Sequence, residues 1–187
     1  MLRTACRQNK IWQDAGLQTM SVAVNLSCRQ FGQKNLTEMI LDIVKDTGLD
    51  FKYLELEITE STIMQNPEEA IRILTELKAA GIEIAIDDFG TGYSSLSYLR
   101  RLPLSSVKID ISFVRKMLTS LNDAVIVKTI IAMANGLNLK TIAEGTETEE
   151  QIAFLKEHGC DMAQGYHVST PVPAEEFSKF MQPGAVV

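Results

Sequence analysis

The sequence predicts an α/β fold in which helices cover a parallel β-sheet. Short apolar segments with the period of β-strands alternate with helical patterns along the chain, and this alternation is typical of parallel sheets. No linker or low-complexity stretch divides the 187 residues, so we expect one domain. An open doubly wound sheet and a TIM-like (β/α) barrel are both compatible with the alternation, and the faces of the strands favour the barrel.

The predicted strands carry apolar residues on one face and polar residues on the other. In the second strand, Leu56 and Ile58 alternate with Glu55 and Glu57, and alternate side chains of a strand point to opposite faces. The apolar face can meet helices, while the other face carries a polar residue near the carboxyl end, where barrel enzymes have their active sites. The six predicted strands are Ser21–Leu26, Tyr53–Thr59, Glu83–Asp88, Ser106–Asp110, Lys140–Glu144 and Asp161–Tyr166. A complete barrel has eight strands in about 250 residues, so we expect an incomplete one.

The helical patterns begin and end with recognisable signals. Asn66 and Pro67 supply a cap and a first-turn proline for one helix, and Gly81 ends it. The residues Thr146-Glu147-Thr148-Glu149 predict a capping box at the start of a later helix. Further helices are predicted at Leu36–Thr47, Asp123–Asn135 and Ala174–Met181.

The negative charge of the chain disfavours anionic binding partners. Its net charge is −6 at pH 7, which disfavours nonspecific binding to nucleic acid or anionic lipid, since both require basic patches. The longest apolar run, Ile126–Leu137, is interrupted by Lys128 and Asn135 and is shorter than the roughly 18 residues of a membrane span. We therefore expect no contact with DNA or with a membrane, and the first residues have no signal-peptide pattern.

The cysteines and histidines limit the chemistry that the chain can perform. Cys6, Cys28 and Cys160 are odd in number and far apart, which predicts reduced side chains in a cytoplasmic protein. His158 and His167 are the only two histidines. The small number of histidines therefore disfavours both a His-rich zinc site and a Ser-His-Asp triad.

Polar side chains follow or end most of the predicted strands, and parallel topology brings them to one mouth of the sheet. They are Asn25, Glu57, Asp87, Asp88, Lys108, Glu144 and Gln164. Carboxylate and amide oxygens suit hard divalent cations such as Mg²⁺ or Mn²⁺. Two such ions about 3.5–4 Å apart suit in-line attack on a phosphodiester. Lys108 is then a candidate to orient or activate the attacking water or to stabilise the phosphate.

Each of these features also has a simpler interpretation. Asp87 and Asp88 alone are typical of a cap or a solvated turn, and Lys108 alone is typical of an ion pair. The turn at 90–92, a candidate mobile flap or ligand-contacting loop, lacks the Gly-Lys-Ser/Thr ending of a phosphate-binding P-loop. Only the joint placement of the polar residues at successive strand ends favours a functional site.

Six ordered motifs resemble those of a known family, the EAL-domain proteins. They are VNLS (24–27), ELEITES (55–61), IDDFGTGYSSLSYL (86–99), VKID (107–110), IAEGTET (142–148) and QGY (164–166). The resemblance covers essentially the whole chain. EAL-domain proteins are bacterial phosphodiesterases that linearise cyclic di-GMP, so the resemblance implies a TIM-like barrel and the product pGpG.

The resemblance implies a binuclear site with two Mg²⁺ or Mn²⁺ ions. By motif position, Asn25, Glu57 and Asp87 resemble metal ligands, and Asp88 resembles the ligand of the second metal. Thr146 stands where the family usually has an apolar residue, and we expect this change to have little effect.

The remaining motif residues imply supporting roles. Lys108 resembles the residue that positions the hydrolytic water, and Glu144 resembles an acid bound to metal or water. Asp110 and Gln164 resemble supporting active-site residues. Glu60 resembles the glutamate that anchors the loop after the aspartates and helps to couple dimerisation to activity.

One departure concerns the motif that names the family. The chain contains no Glu-Ala-Leu triplet, whose glutamate is a metal ligand, and residues 2–17 resemble the helix that follows it. We therefore expect residues 1–187 to be a single EAL-type domain truncated at its N-terminus. Its two open sheet edges should pair with another chain or leave it marginally stable.

Three hypotheses for function follow. The first is a metal-dependent cyclic di-GMP phosphodiesterase, acting as a homodimer or with upstream regulatory or sensory domains. The second is a degenerate EAL-type receptor that binds cyclic di-GMP or a protein without cleaving it, which the missing glutamate favours. The third is a purely structural interaction domain, which leaves the convergent polar residues unexplained.

Overall fold

Six parallel strands form a single sheet in the order of the sequence. The computed structural model describes residues 1–92 and 96–181. The strands are β1 (Val22–Asn25), β2 (Leu54–Thr59), β3 (Glu83–Phe89), β4 (Ser106–Ile109), β5 (Lys140–Glu144) and β6 (Met162–Gln164). Each strand pairs in parallel with the next. The sheet is a half-barrel covered by helices, which confirms the predicted fold class.

Helices connect successive strands and flank the sheet. They are α1 (Leu2–Asp14), α2 (Cys28–Phe31), α3 (Leu36–Thr47), α4 (Glu60–Gln65), α5 (Pro67–Ala79), α6 (Leu96–Leu99), α7 (Ile111–Val114), α8 (Leu121–Gly136), α9 (Glu149–Glu157) and α10 (Ala174–Phe177). A 3₁₀ turn, Phe51–Tyr53, precedes β2. Within the described residues, no helix has the length and apolar character that crossing a membrane requires.

The core lies between the sheet and its helices, as the alternation predicted. Leu56 and Ile58 of β2 are fully buried, as is Ile84 of β3. They belong to one apolar cluster that also contains Leu74 of α5 and Val127 of α8. Because one face of each strand is committed to this core, the register of the sheet fixes which side chains reach the opposite face.

Two helix starts differ from the prediction. Helix α8 begins before Asp123 because Ser120 is its N-cap and accepts a hydrogen bond from the Asp123 N–H at 3.3 Å. The capping box of α9 consists of Thr148 and Gln151 rather than Thr146 and Glu149. Thr146 is instead fully buried ahead of the helix, so the cap moves to the next threonine.

Three short helices follow strand ends and were not predicted from the sequence. The side chains of Ser27, Thr59 and Asp110 accept backbone hydrogen bonds at the starts of α2, α4 and α7. These helices have no more than six residues, too few for an apolar period to be visible. The last helix is also shorter than predicted, since α10 ends at Phe177 and turns follow to residue 181.

Candidate active site

The carboxyl ends of the strands bring most of the predicted polar residues to one edge of the sheet. Asn25 is in register with Glu57, and Thr59 is in register with Asp87. The β3–β4 register shifts between Ile86 and Phe89. Side chains that are in register on neighbouring parallel strands share a face. The sheet therefore assembles the candidate site from residues that are far apart in sequence.

The register shift explains how two adjacent aspartates can serve one site. In a regular strand, Asp87 and Asp88 would point to opposite faces. Asp88 instead has a φ of +53°, in the left-handed region that few residues other than glycine, asparagine and aspartate adopt. Its backbone N–H lies 3.1 Å from Oδ1 of Asp87. The irregularity turns the chain so that both carboxylates lie at the same edge.

Lys108 is the centre of a buried ion-pair network. Its Nζ lies 2.7 Å from Oε1 of Glu57, 2.7 Å from Oε1 of Glu144 and 3.3 Å from Oδ1 of Asp87. Burial lowers the pKa of Lys108, but the hydrogen bonds to Glu144 and Glu57 outweigh this effect and leave its pKa above the ordinary value. The side chain is therefore an ammonium that offsets the negative charge of its neighbours.

Asn25 fixes the other side of Glu57. Its Nδ2 donates a hydrogen bond to Oε2 of Glu57 at 3.0 Å, while Oε1 of the same carboxylate faces Lys108. Both oxygens of Glu57 are thus held by side chains from β1 and β4. Asn25 itself is exposed at the edge of the sheet.

Three carboxylates, two of which also contact Lys108, can hold a cation at this edge of the sheet. Ligand atoms of Asp87, Asp88 and Glu144 all lie within 4.8 Å of one another. Burial raises the pKa of Asp88, and the charges of Asp87 and Asp110 raise it further. Burial also raises the pKa of Glu144, although the hydrogen bond from Lys108 opposes the shift. A crowded, oxygen-only donor set of this kind fits a hard divalent cation, which would relieve the repulsion.

Asp110 and Gln164 lie beside the network in different ways. Asp110 is buried and accepts a hydrogen bond from the Ser112 N–H at 2.8 Å, so it caps α7 while its charge acts on Asp88. Gln164 is in register with Glu144 but has an exposed side chain on β6, an edge strand. Among the described residues, no hydrogen bond joins the Gln164 side chain to Lys108 or its partners.

Glu60 packs under the turn that follows the two aspartates. It is 3% exposed, and its Oε2 accepts a hydrogen bond from the Gly90 N–H at 3.4 Å. A Cβ added at Gly92 would lie 2.7 Å from Oε1 of Glu60. Glycine at 92 therefore permits the close approach between the turn and the glutamate. The next residues of the predicted motif, 93–95, lie outside the described residues.

Glu55 and Ser106, which were not predicted as site residues, lie one layer deeper in the sheet. Glu55 and Ser106 precede Glu57 and Lys108 by two residues on the same strands, and Oγ of Ser106 donates to Oε2 of Glu55 at 3.1 Å. Burial raises the pKa of Glu55, and this hydrogen bond opposes the shift. The period of the strands carried the signal for them, since residues two apart share a face.

Comparison with known proteins identifies the family. The family model described as EAL domain matches residues 1–171. The chain belongs to the EAL domain family. The assignment made from the six motifs is thereby confirmed, and the Lys108 network, the two aspartates and Glu60 lie within the part of the chain that this EAL domain match covers.

Several relatives of this EAL domain have names that state an activity. The chain is 43% identical over 182 residues to "Cyclic di-GMP phosphodiesterase NbdA" of Pseudomonas aeruginosa, covering 97% of this chain and 23% of that protein. It is 45% identical over 176 residues to "Bifunctional diguanylate cyclase/cyclic di-GMP phosphodiesterase MucR" of the same organism, covering 94% of this chain and 26% of that protein. The chain thus spans about a quarter of the length of these curated relatives.

Solved structures agree with the fold of this EAL domain. The structure titled "PaMucR Phosphodiesterase, c-di-GMP complex" superposes with a TM-score of 0.91 at 45% identity, covering 94% of this chain and 71% of that one. The EAL domain of Mycobacterium smegmatis DcpA superposes with a TM-score of 0.94 at 39% identity, covering 100% of this chain and 84% of that one.

Proposed function

We propose that this EAL domain carries the catalytic residues of a metal-dependent phosphodiesterase that hydrolyses cyclic di-GMP to linear pGpG. One observation carries the proposal: the Lys108 ammonium is held by Glu57, Asp87 and Glu144 at the carboxyl edge of a half-barrel. Two relatives named as cyclic di-GMP phosphodiesterases and a related structure with cyclic di-GMP bound support this choice of substrate.

The reaction adds one water across one of the two phosphodiester bonds of cyclic di-GMP. The water oxygen bonds to phosphorus, the bond from phosphorus to the ribose 3′ oxygen breaks, and that oxygen leaves as a hydroxyl. One proton of the water moves to the leaving 3′ oxygen through the polar groups of the site. The product is linear, with a 5′ phosphate and a free 3′ hydroxyl, which is pGpG.

The proposed cofactors are two Mg²⁺ or Mn²⁺ ions. Asn25, Glu57, Asp87 and Asp88 would hold them, with Glu144 bound to metal or to water, and Asp87, Asp88 and Glu144 already cluster within 4.8 Å. When bound, such ions lower the pKa of a coordinated water and neutralise phosphate charge.

The protein side chains perform the remaining tasks. Lys108, as an ammonium, donates hydrogen bonds that orient the water or stabilise negative charge on the phosphate. Asp110, the N-cap of α7, and Gln164, the last residue of β6, support the site. Glu60 keeps the turn at 90–92 against the end of β3 through its contact with the Gly90 N–H.

We also propose the setting in which the domain acts. Residues 1–187 form one EAL-type unit of a cytoplasmic protein, in keeping with three cysteines that form no disulfide. The unit acts as a homodimer or together with regulatory domains. Leu118, Leu121 and Val125 expose apolar side chains around the start of α8, and Leu121 is 80% exposed. This surface supports a contact with another protein chain or domain.

A second candidate function is a cyclic di-GMP receptor that does not cleave its ligand. The observation that favours it is the related structure titled as a c-di-GMP complex, which supports binding of the ligand independently of its cleavage. The two candidates differ in turnover rather than in binding.

A turnover assay run beside a binding titration tests both candidates. We expect the chain with Mn²⁺ or Mg²⁺ to convert cyclic di-GMP to pGpG, measured by chromatography, and to lose that conversion with a chelator. Binding of cyclic di-GMP without any product, in the chain and in a longer parent protein, would favour the receptor. Absence of both binding and product would contradict both candidates.

A further inference from the structure

A second polar contact lies directly beneath the Lys108 network. Glu55 and Ser106 occupy the inner face of β2 and β4, two residues before Glu57 and Lys108, and Ser106 is 1% exposed. The hydrogen bond from Oγ of Ser106 to Oε2 of Glu55 measures 3.1 Å. It joins the same two strands as the contact between Glu57 and Lys108, one layer deeper. Barrel interiors are built from such layers, contributed by alternate strands.

The strand between β2 and β4 leaves room for both contacts. Ala85 of β3 is in register with Glu57 on one side and with Ser106 on the other. Its side chain is fully buried and is the smallest that has a Cβ. Contacts between alternate strands must pass across the inner face of the strand between them, and a methyl group obstructs them least.

The two contacts are mechanically linked through short, paired strands. Strand β4 has four residues, and both Ser106 and Lys108 belong to it. The Ser106 hydroxyl has a single acceptor among the described side chains, the Glu55 carboxylate. Movement of Ser106 away from β2 would therefore also move the Cα and Cβ of Lys108 away from Glu57.

We infer that Glu55 and Ser106 are positioning residues, whose hydrogen bond holds β2 and β4 at the separation at which the Lys108 ammonium reaches Glu57. This role deepens the proposed function, because Lys108 acts on water or phosphate there. The contact itself is defined by geometry alone and can be tested whether or not the chain turns over substrate.

Lysine ammonium signals in ¹⁵N-correlated NMR spectra of the 187-residue chain provide the readout. A buried, paired ammonium exchanges its protons with water slowly, whereas a released one exchanges fast. The signal of Lys108 is assigned by its loss in Lys108→Met. Ser106→Ala and Glu55→Met each remove the lower hydrogen bond, so we expect Lys108 proton exchange to accelerate about fivefold, in line with the loss of one net hydrogen bond.

Two variants separate positioning from a general effect on folding. Glu55→Gln keeps an oxygen that accepts the Ser106 hydroxyl, so it should preserve slow exchange at Lys108. Ser105→Ala removes a neighbouring serine whose hydroxyl contacts Lys78 at 2.7 Å and the Ile84 N–H at 3.1 Å instead. It should lower the melting temperature while leaving the Lys108 signal unchanged.

The exchange rates of Lys108 in these variants test the positioning role of Glu55 and Ser106. Unchanged exchange in either Ser106→Ala or Glu55→Met, with the fold retained, would overturn it, as would equal acceleration in Ser105→Ala. If one of the first two variants fails to fold, the other decides. Absence of turnover in both the chain and the longer parent protein, together with the expected exchange pattern in the chain, would contradict the proposed function and leave the positioning role standing.

Discussion

The Lys108 ammonium lies 2.7 Å from Oε1 of Glu57, although the strands that carry these two residues are not neighbours in the sheet. The contact crosses β3 at its inner face. It therefore depends on three strands at once, and on the small side chain of Ala85 between them. Such a site is sensitive to changes on the intervening strand that touch neither charged group.

Replacing Lys108 by alanine should destabilise the chain in a metal-dependent way. The change leaves Glu57, Asp87 and Glu144 without their buried cation, and breaking a buried ion pair on one side costs about 3–5 kcal/mol. The melting temperature should fall in the presence of a chelator. Added Mn²⁺ should recover part of this loss, because a bound cation replaces the missing charge.

The same variant separates binding from chemistry. In a longer parent protein we expect Lys108→Ala to bind cyclic di-GMP but to lose turnover by about 100-fold or more, the usual cost of removing a charge-stabilising group. Lys140→Ala, at the exposed start of β5, is the matched control and should change neither property. Lost binding with turnover retained would make Lys108 a ligand anchor instead.

Asp87→Asn should weaken Mn²⁺ binding at the candidate site. An ionised ligand becomes neutral, and even changes to groups outside the coordination shell lower metal affinity by about 10–100-fold. Isothermal titration measures the effect. Asp42→Asn, an exposed change on α3, is the control. Equal Mn²⁺ affinity in the wild-type chain and Asp87→Asn would remove Asp87 from the ligand set.

Ala85→Val should impair the site through packing alone. The added methyl groups enter the inner face between Glu57 and Ser106, with which Ala85 is in register, and overpacking a buried position costs about 1–3 kcal/mol. We expect turnover to fall together with the melting temperature. Ala143→Val tests a second fully buried alanine, in register with Ile109 rather than Lys108. It should lower stability but spare turnover.

Strand periodicity predicted much of this site, because the alternation of side chains is a local property. It placed Glu57 and Lys108 on one face before any pairing was known. The turned backbone of Asp88 was not predictable in the same way, since it follows from the shifted register between β3 and β4. Register is set by contacts between distant segments, and no local pattern reports it.

The short helices and Gln164 show the same difference between features that are set by local sequence and features that are set by distant segments. Ser27 and Thr59 cap helices of one or two turns whose existence depends on the strand ends that precede them. The sequence predicts that Gln164 joins the converging residues because it ends a strand. Strand β6 is at the edge of the sheet, and the side chain of Gln164 is exposed. This exposure follows from the order of the strands, which the sequence of β6 alone does not contain.

Gly92→Ala tests the contact between Glu60 and the turn after the aspartates. An added Cβ would lie 2.7 Å from Oε1 of Glu60 and 2.8 Å from its Cδ, closer than real Cβ contacts, so the turn or the glutamate must move. Because Glu60 also accepts the Gly90 N–H, we expect the displacement to reach the end of β3 and to lower turnover by about tenfold, the effect of losing roughly one hydrogen bond to a charged group.

The control for Gly92→Ala is Gly136→Ala. Beyond its own helix backbone and chain neighbours, no atom lies within 4 Å of a Cβ added at the last residue of α8. This change should therefore leave turnover unaltered and raise the melting temperature slightly, because alanine has less conformational freedom than glycine in the unfolded chain. Turnover is measured as pGpG formed and stability by thermal unfolding. If Gly92→Ala retains wild-type turnover while its melting temperature is unchanged, the contact between Glu60 and the turn has no part in organising Asp87 and Asp88.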